Sequence, residues 1–466
     1  MRRLIPLGLL LAIIAVYANA LHGPFIWDDN DAIVQNWHIR SLSPLSEAIS
    51  SRGTPILGGR PLIVLSLAFN YSLGQLNPMG YHLFNIVTHM ACTLLMFELI
   101  RRTLLLPRWG GRYDQSACWF SGAAALLWSL HPINTEAVDY VTQRTETLMS
   151  MFLLLTLYAI VRGARSGRPA LWNLLAVASC AAGMACKQTM VVAPVLAMIF
   201  DLIFLPRRLP GRRFLHSGLM ATWLILLLVL RGQDLQSMNP VGPRTVTPCV
   251  YLETQAGVIL HYLRLCFWPR GLTIDYSDWP LAPNFLAAII PGLLLMSFLG
   301  VTLVCCAFRA WPGFVGACFF LILAPTSSLL PLPREIVAER RMYLPSAAVV
   351  ILAVAAAWQM LRWLIPQSAP KAIAIALALI AVIFGTTTAA RNRTFQSSIS
   401  LWADAVDKRP KSPLAHYFLA QAHAELGDWA EARAQAQIAY QLVHSPTIQA
   451  LLDDINRHDP NAQQLK

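Results

Sequence analysis

Three carboxylates, Asp28, Asp29 and Asp31, follow directly on Phe25, Ile26 and Trp27 in a chain that is 56% hydrophobic and only 13% charged. Soluble proteins average about 25% charged residues, so acidic groups in so apolar a chain point to chemistry rather than packing. Adjacent residues of an extended loop point to opposite sides. Asp28 and Asp29 are therefore unsuited to be the facing acid and base of a glycoside hydrolase, and one of them as a lone general base is the better chemical reading. Phe25 and Trp27 supply an apolar wall of the kind that raises a carboxyl pKa into a useful range. A solvated acidic loop or a helix cap is the structural alternative, and the residues alone leave both open.

Further ionisable clusters lie downstream. Arg60, in the stretch Gly58-Gly59-Arg60-Pro61-Leu62, could clamp a phosphate through bidentate hydrogen bonds or snorkel to lipid headgroups. Tyr81 and His82 lead into the second apolar segment. His131, Pro132 and Glu136, then Asp139, Arg144 and Glu146, surround a proline that breaks a helix. At spacings of three and seven, Glu136, Asp139 and Glu146 are expected on one helical face, with Arg144 available to neutralise them. Lys187, at the end of the fifth apolar segment, is compatible with anion binding. The stretch Pro331–Pro345 carries Arg334, Glu335, Glu339, Arg340, Arg341 and Tyr343, a charged knot of the kind functional loops hold on a rigid scaffold. There is no GxxxxGK[ST], HExxH or GxSxG pattern, so nucleotide hydrolysis, zincin and serine-hydrolase chemistry lack their marks. No metal or cofactor is demanded.

The elements that must position these groups are membrane spans. Segments near 4–20, 81–100, 117–130, 137–161, 170–185, 190–205, 215–230, 285–308, 313–330, 344–363 and 371–390 have the apolar character of crossings, which need about 17–25 residues each. The sequence thus predicts an all-α, polytopic membrane protein of about 11 transmembrane helices. Residues 4–20 are expected to be a retained span rather than a signal peptide, because many later segments are equally apolar. A cytoplasmic amino terminus puts the clusters Arg101, Arg102, Arg108 and Arg112, then Arg162, Arg165 and Arg168, then Arg207, Arg208, Arg212 and Arg213 inside. The net charge of +12 then reflects orientation and not nucleic-acid binding. The same assignment places loops 21–80, 231–284 and 331–343 outside, with 13 of the 16 acidic residues before position 400 on or near that face. Residues 251–268 carry Glu253, Gln255, His261 and Arg264 and are expected to lie in the outer interface. Nine cysteines fall mostly within apolar segments, where Cys acts as a small hydrophobe; a Cys249–Cys266 disulfide is left open by spacing alone. A transporter's paired internal repeats are not evident.

Two domains are expected: 1–390 in the membrane and 391–466 beyond it. On the 34-residue tetratricopeptide period, Leu419, Ala420, Gly427, Ala432 and Ala439 fall at repeat positions, and Trp402, Ala405 and Pro410 fit the end of a preceding unit. Such arrays usually need three or more units, so this short tail is expected to lean on the membrane domain or a partner. A plain helical hairpin is the alternative.

In order along the chain, FIWDDNDAI, GRPL, NPMGYHLFNIVTH, HPINTEAVDYVTQRTE, CKQ, WPRGLTIDY, AERRMYLPS and SLWADAV resemble bacterial relatives of the transmembrane and tetratricopeptide-repeat-containing glycosyltransferases of the GT-C class. The resemblance runs over nearly the whole chain. It implies an enzyme at the periplasmic face of the bacterial inner membrane that moves a sugar from a polyprenyl-phosphate carrier to an acceptor hydroxyl, in the manner of protein O-mannosyltransferases. Carried over by position, Asp28 and Asp29 hold the general base, with Asp28 favoured as the first acid of the pair. Arg340, Arg341 and Tyr343, with Arg60 and Lys187, meet the carrier phosphate, and His82, His131, Glu136, Arg144 and Glu146 complete the expected binding set. A phosphate leaving group needs charge stabilisation more than a protonated acid, which suits direct displacement with inversion. The expected partners are membrane lipid, the lipid-linked sugar and a protein acceptor. Transfer to a lipid or glycan, and a non-enzymatic scaffold docking partners through the tail, are the alternatives.

Overall fold

The computed structural model describes residues 4–43, 57–58, 60–206, 211–230, 246–328, 331–332, 335–365 and 369–459. Arg207, Arg208 and Arg334, Gly59, and the parts of the long loops at 44–56 and 231–245 lie outside the described residues. Among the described residues every regular element is a helix, with no strand. In chain order the helices are α1 (Leu4–Tyr17), α2 (Pro61–Gly74), α3 (Pro78–Leu104), α4 (Ala117–Ser129), α5 (Thr135–Asp139), α6 (Arg144–Gly163), α7 (Pro169–Met184), α8 (Ala193–Phe204), α9 (Arg212–Ala221), α10 (Trp223–Leu230), α11 (Pro248–Phe267), α12 (Phe285–Ala307), α13 (Trp311–Leu323), α14 (Pro345–Leu364) and α15 (Ala369–Asn392). Four tail helices follow: α16 (Ser398–Lys408), α17 (Pro413–Glu425), α18 (Trp429–Leu442) and α19 (Pro446–His458).

Seven helical stretches among the described residues are long and apolar enough to cross a membrane: Leu4–His22, Pro78–Leu104, Val141–Gly163, Arg212–Val229, Phe285–Ala307, Pro345–Leu364 and Ala372–Gln396. The other expected segments form the shorter apolar helices α4, α7, α8 and α13. Leu, Ile, Val and Phe cover the outer surfaces of the long helices, as on Leu293, Met296 and Val301 of α12, which is what lipid contact requires of a helix with no polar face. The polytopic class expected from the sequence is the one observed.

The segment 137–161 is not one continuous helix. α5 ends at Asp139, Tyr140 adopts an extended conformation with ψ 112°, and a single 3₁₀ turn at Val141–Gln143 leads into α6. Glu136, Asp139 and Glu146 therefore do not share one face, because the break rotates the later residues away from the earlier ones.

α11 runs across one end of the bundle. Tyr251 donates to the Thr326 carbonyl at 2.7 Å, Gln255 to the Ile336 carbonyl at 2.9 Å and Tyr262 to the Ala338 carbonyl at 3.0 Å, and His131 Nε2 meets the Cys266 carbonyl at 2.9 Å. These partners belong to loops at the same end, between α13 and α14 and after α4, so the helix cannot also pass through the bundle. Cys249 and Cys266 sit near opposite ends of α11, about 25 Å apart at 1.5 Å per residue, and both thiols are free. A disulfide between them is ruled out by helix geometry.

The tail helices pack in sequence, each against the next. Gly427 turns the chain between α17 and α18 with a φ of 77°, and Leu419, Ala420, Ala432 and Ala439 are buried where helices cross. The tail is docked on the bundle: Ile26, Tyr140 and Ile274 share one buried cluster with Trp402, Ala405, Ala415 and Leu419.

α12 and α13 meet backbone to backbone, where a Cβ added at Gly313 would lie 2.5 Å from the Cys306 amide nitrogen. Backbone cannot yield as a side chain does, so Gly313→Ala is expected to destabilise the protein by about 1–3 kcal/mol, the usual range for overpacking. Thermal unfolding in detergent reads this; an unchanged midpoint would mean that the two helices separate freely.

Candidate active site

The loop that follows α1 is held from several sides. His82 Nε2 meets the Gly23 carbonyl at 3.0 Å, and a Cβ at Gly23 would lie 3.1 Å from the Phe395 carbonyl, so a side chain there would press on its neighbours. Phe25 packs edge-on against Tyr81, with ring centroids 5.2 Å apart. Asp29 is fully buried and accepts hydrogen bonds from the Ile26 amide at 3.1 Å and the Thr142 amide at 2.8 Å. It thereby ties its own loop to the break between α5 and α6. Burial pushes its carboxyl up to about 7 despite these two amide donors.

Asp28 is placed differently. Its amide donates to the Tyr140 hydroxyl at 2.9 Å, while its side chain faces the charged cluster. Burial, reinforced by Glu335, pushes its carboxyl up to about 6, and Arg340 and Tyr140 pull in the other direction. A carboxylate poised there is ionised at neutral pH yet basic enough to accept a proton.

Around Asp28 the fold gathers charges from four distant parts of the sequence. The Arg340 guanidinium bridges Glu136 and Glu335, and the Arg340 amide donates to Glu136 Oε2 at 3.0 Å. Lys187 pairs with Glu146, and burial lowers its ammonium below the ordinary lysine value against the opposing pull of Glu146. Arg341 donates to the Ile336 carbonyl at 3.3 Å. Arg60 stands in the field of Glu146, Asp28 and Glu335, with burial drawing its guanidinium below its usual value. Burial favours protonation of Glu335, but Arg340 and Arg341 outweigh it and hold that carboxyl below its ordinary range.

Of the residues read from the sequence, Asp28, Arg60, Glu136, Glu146, Lys187, Arg340 and Arg341 thus come together. His82, His131, Arg144 and Tyr343 do not join them. His131 is buried between the Cys266 carbonyl and the Ile133 amide. Tyr343 bonds His89 Nδ1 at 2.7 Å inside the bundle. Arg144 donates to Asn70 Oδ1 at 2.7 Å and the Tyr81 carbonyl at 3.3 Å. It forms an ion pair with no carboxylate among the described residues, so it does not neutralise the neighbouring acids. These four are buried, and each bonds to a residue of another segment of the bundle.

Tyr140, which anchors the Asp28 amide, and Arg391, which holds Glu339 Oε2 at 2.9 Å, were not singled out by sequence. Neither carries a local signal, since each acts on a residue more than fifty positions away.

Beneath the cluster, a small polar pocket lined by Glu146, Lys187 and Arg341 shares Ile322 and Leu344 with a cavity of about 610 Å³. The cavity lies among α3, α6, α8, α13 and α14, lined by groups such as Leu154, Phe200, Phe314 and Ala355, and reaches Trp109, Arg112 and Arg362 at its far end. Along α14 alone it extends from Ala347 to Arg362, about 22 Å of helix rise.

Fold and site together define an all-helical, multi-pass membrane protein with a charged site at one end of its bundle. Residues 61–231 match the family model of dolichyl-phosphate-mannose-protein mannosyltransferases, and the chain is similar in sequence to several proteins named Protein O-mannosyl-transferase. It is 28% identical over 446 residues to Protein O-mannosyl-transferase TMTC3 of Mus musculus, covering 84% of this chain and 46% of that protein. It is 24% identical over 474 residues to Protein O-mannosyl-transferase TMTC4 of Homo sapiens, covering 89% and 63%. Over 284 residues it is 33% identical to Protein O-mannosyl-transferase Tmtc2 of Drosophila melanogaster, covering 56% and 29%. The chain spans about half the length of the curated relatives it matches. No solved structure matches it significantly.

Arg391 and Glu339 form a buried pair. Removing one partner of such a pair costs about 3–5 kcal/mol because the other charge is left unpaired. Arg391→Ala is therefore expected to lower stability by that amount in chemical or thermal unfolding, and a loss under about 1 kcal/mol would show that water already screens the pair.

Proposed function

We propose that this protein transfers mannose from a polyprenyl-phosphate carrier to a hydroxyl of a protein acceptor at the face that bears Asp28. The observation that carries the reading is the placement of Asp28, a carboxyl poised near neutrality, beside a cluster of paired cations and carboxylates that adjoins a lipid-sized apolar cavity. The sugar and the protein acceptor come from the names of the relatives and the matched family model, and the lipid carrier is supported by the chemistry of the cavity.

The reaction is written as a direct displacement. Asp28 removes the proton of the acceptor hydroxyl as its oxygen forms a bond to the anomeric carbon. The bond from that carbon to the phosphate oxygen breaks, and the phosphate departs with the bonding pair, inverting the configuration. Lys187, Arg340 and Arg341 offset the charge that grows on the phosphate, the kind of contribution that is worth most in a site sheltered from water. The carrier chain lies in the cavity among α3, α6, α8, α13 and α14, where Leu, Phe and Ala side chains match its apolar surface.

Two measurements test this. With purified protein, a mannosyl polyprenyl phosphate and an acceptor peptide, Asp28→Asn is expected to lower kcat by about 10²–10⁴-fold, the range of a general base. The parent's rate falls as pH drops through about 6, where Asp28 takes up its proton. Transfer by the Asn variant at the parent's rate would remove Asp28 from the mechanism. In the second, Ala355→Trp fills the cavity away from the charges. It is expected to raise KM for the lipid donor about tenfold or more, equivalent to about 1.4 kcal/mol, with kcat unchanged. An unchanged KM would place the carrier chain elsewhere.

A further inference from the structure

Trp27, immediately before Asp28, is a bulky residue in the left-handed region, with φ 45°. Such a backbone costs on the order of 1–3 kcal/mol and persists only where the surroundings over-determine it. One wall that holds it belongs to the membrane bundle: the Tyr140 ring lies parallel to the Trp27 ring, with centroids 6.3 Å apart and 12° between planes. The other wall belongs to the tail. Trp402 of α16 meets Trp27 edge-on at 5.6 Å, Phe418 of α17 lies at 5.7 Å, and Trp402 and Phe418 stack on each other at 4.6 Å.

The tail helices that carry these rings are fastened to the bundle by polar contacts of their own. Ser412 donates to Asp275, and Ser412 and Ser277 share a hydrogen bond at 2.9 Å. Lys408 donates to the Leu272 carbonyl at 2.8 Å. Arg409 covers the Tyr276 ring at 4.7 Å and the Trp279 ring at 5.2 Å. In the second pair of tail helices, α18 and α19, Ala432, Ala436, Leu452 and Ile455 close on one another and on Ala420, while Ala439 and Ile448 meet Tyr417 with Phe418 packed beside them.

We propose that Trp402 and Phe418 are positioning residues for Asp28, so that the first tail hairpin is a wall of the site and not only a surface for other proteins. They clamp the Trp27 ring, the ring fixes the left-handed turn, and the turn aims the next side chain at the cluster of Glu335 and Arg340. The same turn sets three hydrogen bonds: the Asp28 amide to Tyr140, the Asp29 amide to the Ile26 carbonyl at 2.8 Å and the Asn30 amide to the Trp27 carbonyl at 3.1 Å. The effect on catalysis rests on the transferase reading above; the effect on the turn does not.

The test uses the full chain in detergent with Trp402→Ala combined with Phe418→Ala, the conservative Trp402→Phe, and Leu452→Ala as a control in a tail cluster that holds neither Trp402 nor Phe418. Hydrogen exchange reads the turn directly. The double variant is expected to speed exchange of the Asp28, Asp29 and Asn30 amides about tenfold or more, as local opening becomes easier, while Trp402→Phe and Leu452→Ala leave them near the parent rate. Unchanged exchange in the double variant overturns the proposal whether or not the protein is a transferase. In the transfer assay the double variant is expected to lose about 10²-fold in kcat, as misplaced catalytic groups do, with KM for the lipid donor retained. Its acid limb moves below the parent's value of about 6, because the opened cage admits water to Asp28 while Glu335, Arg340, Asp31 and Tyr140 still face it. Trp402→Phe restores both. Faster exchange with parent-like kcat and pH profile would overturn the positioning role while leaving the transferase reading intact; a parent with no transfer at all would sink that reading, and the exchange rates would still decide the clamp.

Discussion

The site depends on one buried ion pair, that of Arg340 with Glu136. Glu136 sits on the short helix before the break at Tyr140, and Arg340 sits in the loop between α13 and α14. Neither charge is tolerable alone in an apolar bundle, because an unpaired buried ion costs several kcal/mol. The pair therefore obliges the helix break and the late loop to meet, and their meeting makes the floor on which Asp28, Glu335 and Lys187 stand. Glu335 then extends the pair to the solvent side, where 28% of its side chain remains exposed.

Around this floor the same constraint recurs. Lys187 with Glu146, and Arg391 with Glu339, bring further charges in as matched couples. Cations and carboxylates are nearly balanced, so the site can be dry without being strongly charged. Asp28 is the exception that makes the arrangement useful. Among the described residues it forms no ion pair, burial and Glu335 outweigh the pull of Arg340 and Tyr140, and it is left near neutrality instead of deep in the carboxylate range. Asp29, its neighbour, is spent on two backbone amides and acts as a fastener. Two adjacent carboxylates thus have different surroundings, one tied to backbone amides and the other in the field of the charged cluster.

Much of the fold was legible in the sequence because a membrane imposes a simple rule: a helix that crosses must be apolar for most of its length. Among the described residues every expected apolar segment contains a helix, and seven helical stretches meet the length and composition of crossings. What was not legible is where a helix stops inside an apolar or mixed run. The reading of 137–161 as one element missed the extended Tyr140, since Ala, Val, Asp, Tyr and Thr around it carry no Gly or Pro at the break itself. Pro132 gave the only warning, eight residues early. Histidines and Arg144 looked like site residues by type, yet type does not tell which end of a side chain meets water. His82, His131 and Arg144 each satisfy carbonyls or amides deep between helices.

By itself the sequence determined the helical, membrane-embedded class, the gathering of acidic groups between the apolar segments, and Asp28 with Asp29 as the first groups to consider. These follow from local composition and period, which need no knowledge of distant residues. Only the tertiary structure gave the two aspartates different surroundings, joined Arg340 to Glu136 and Lys187 to Glu146, and set Trp402 against Trp27. Those choices rest on contacts between residues 41 to 375 positions apart. Such contacts are selected by the pairing of buried charges and the packing of rings once the helices have assembled, and no local pattern along the chain encodes them.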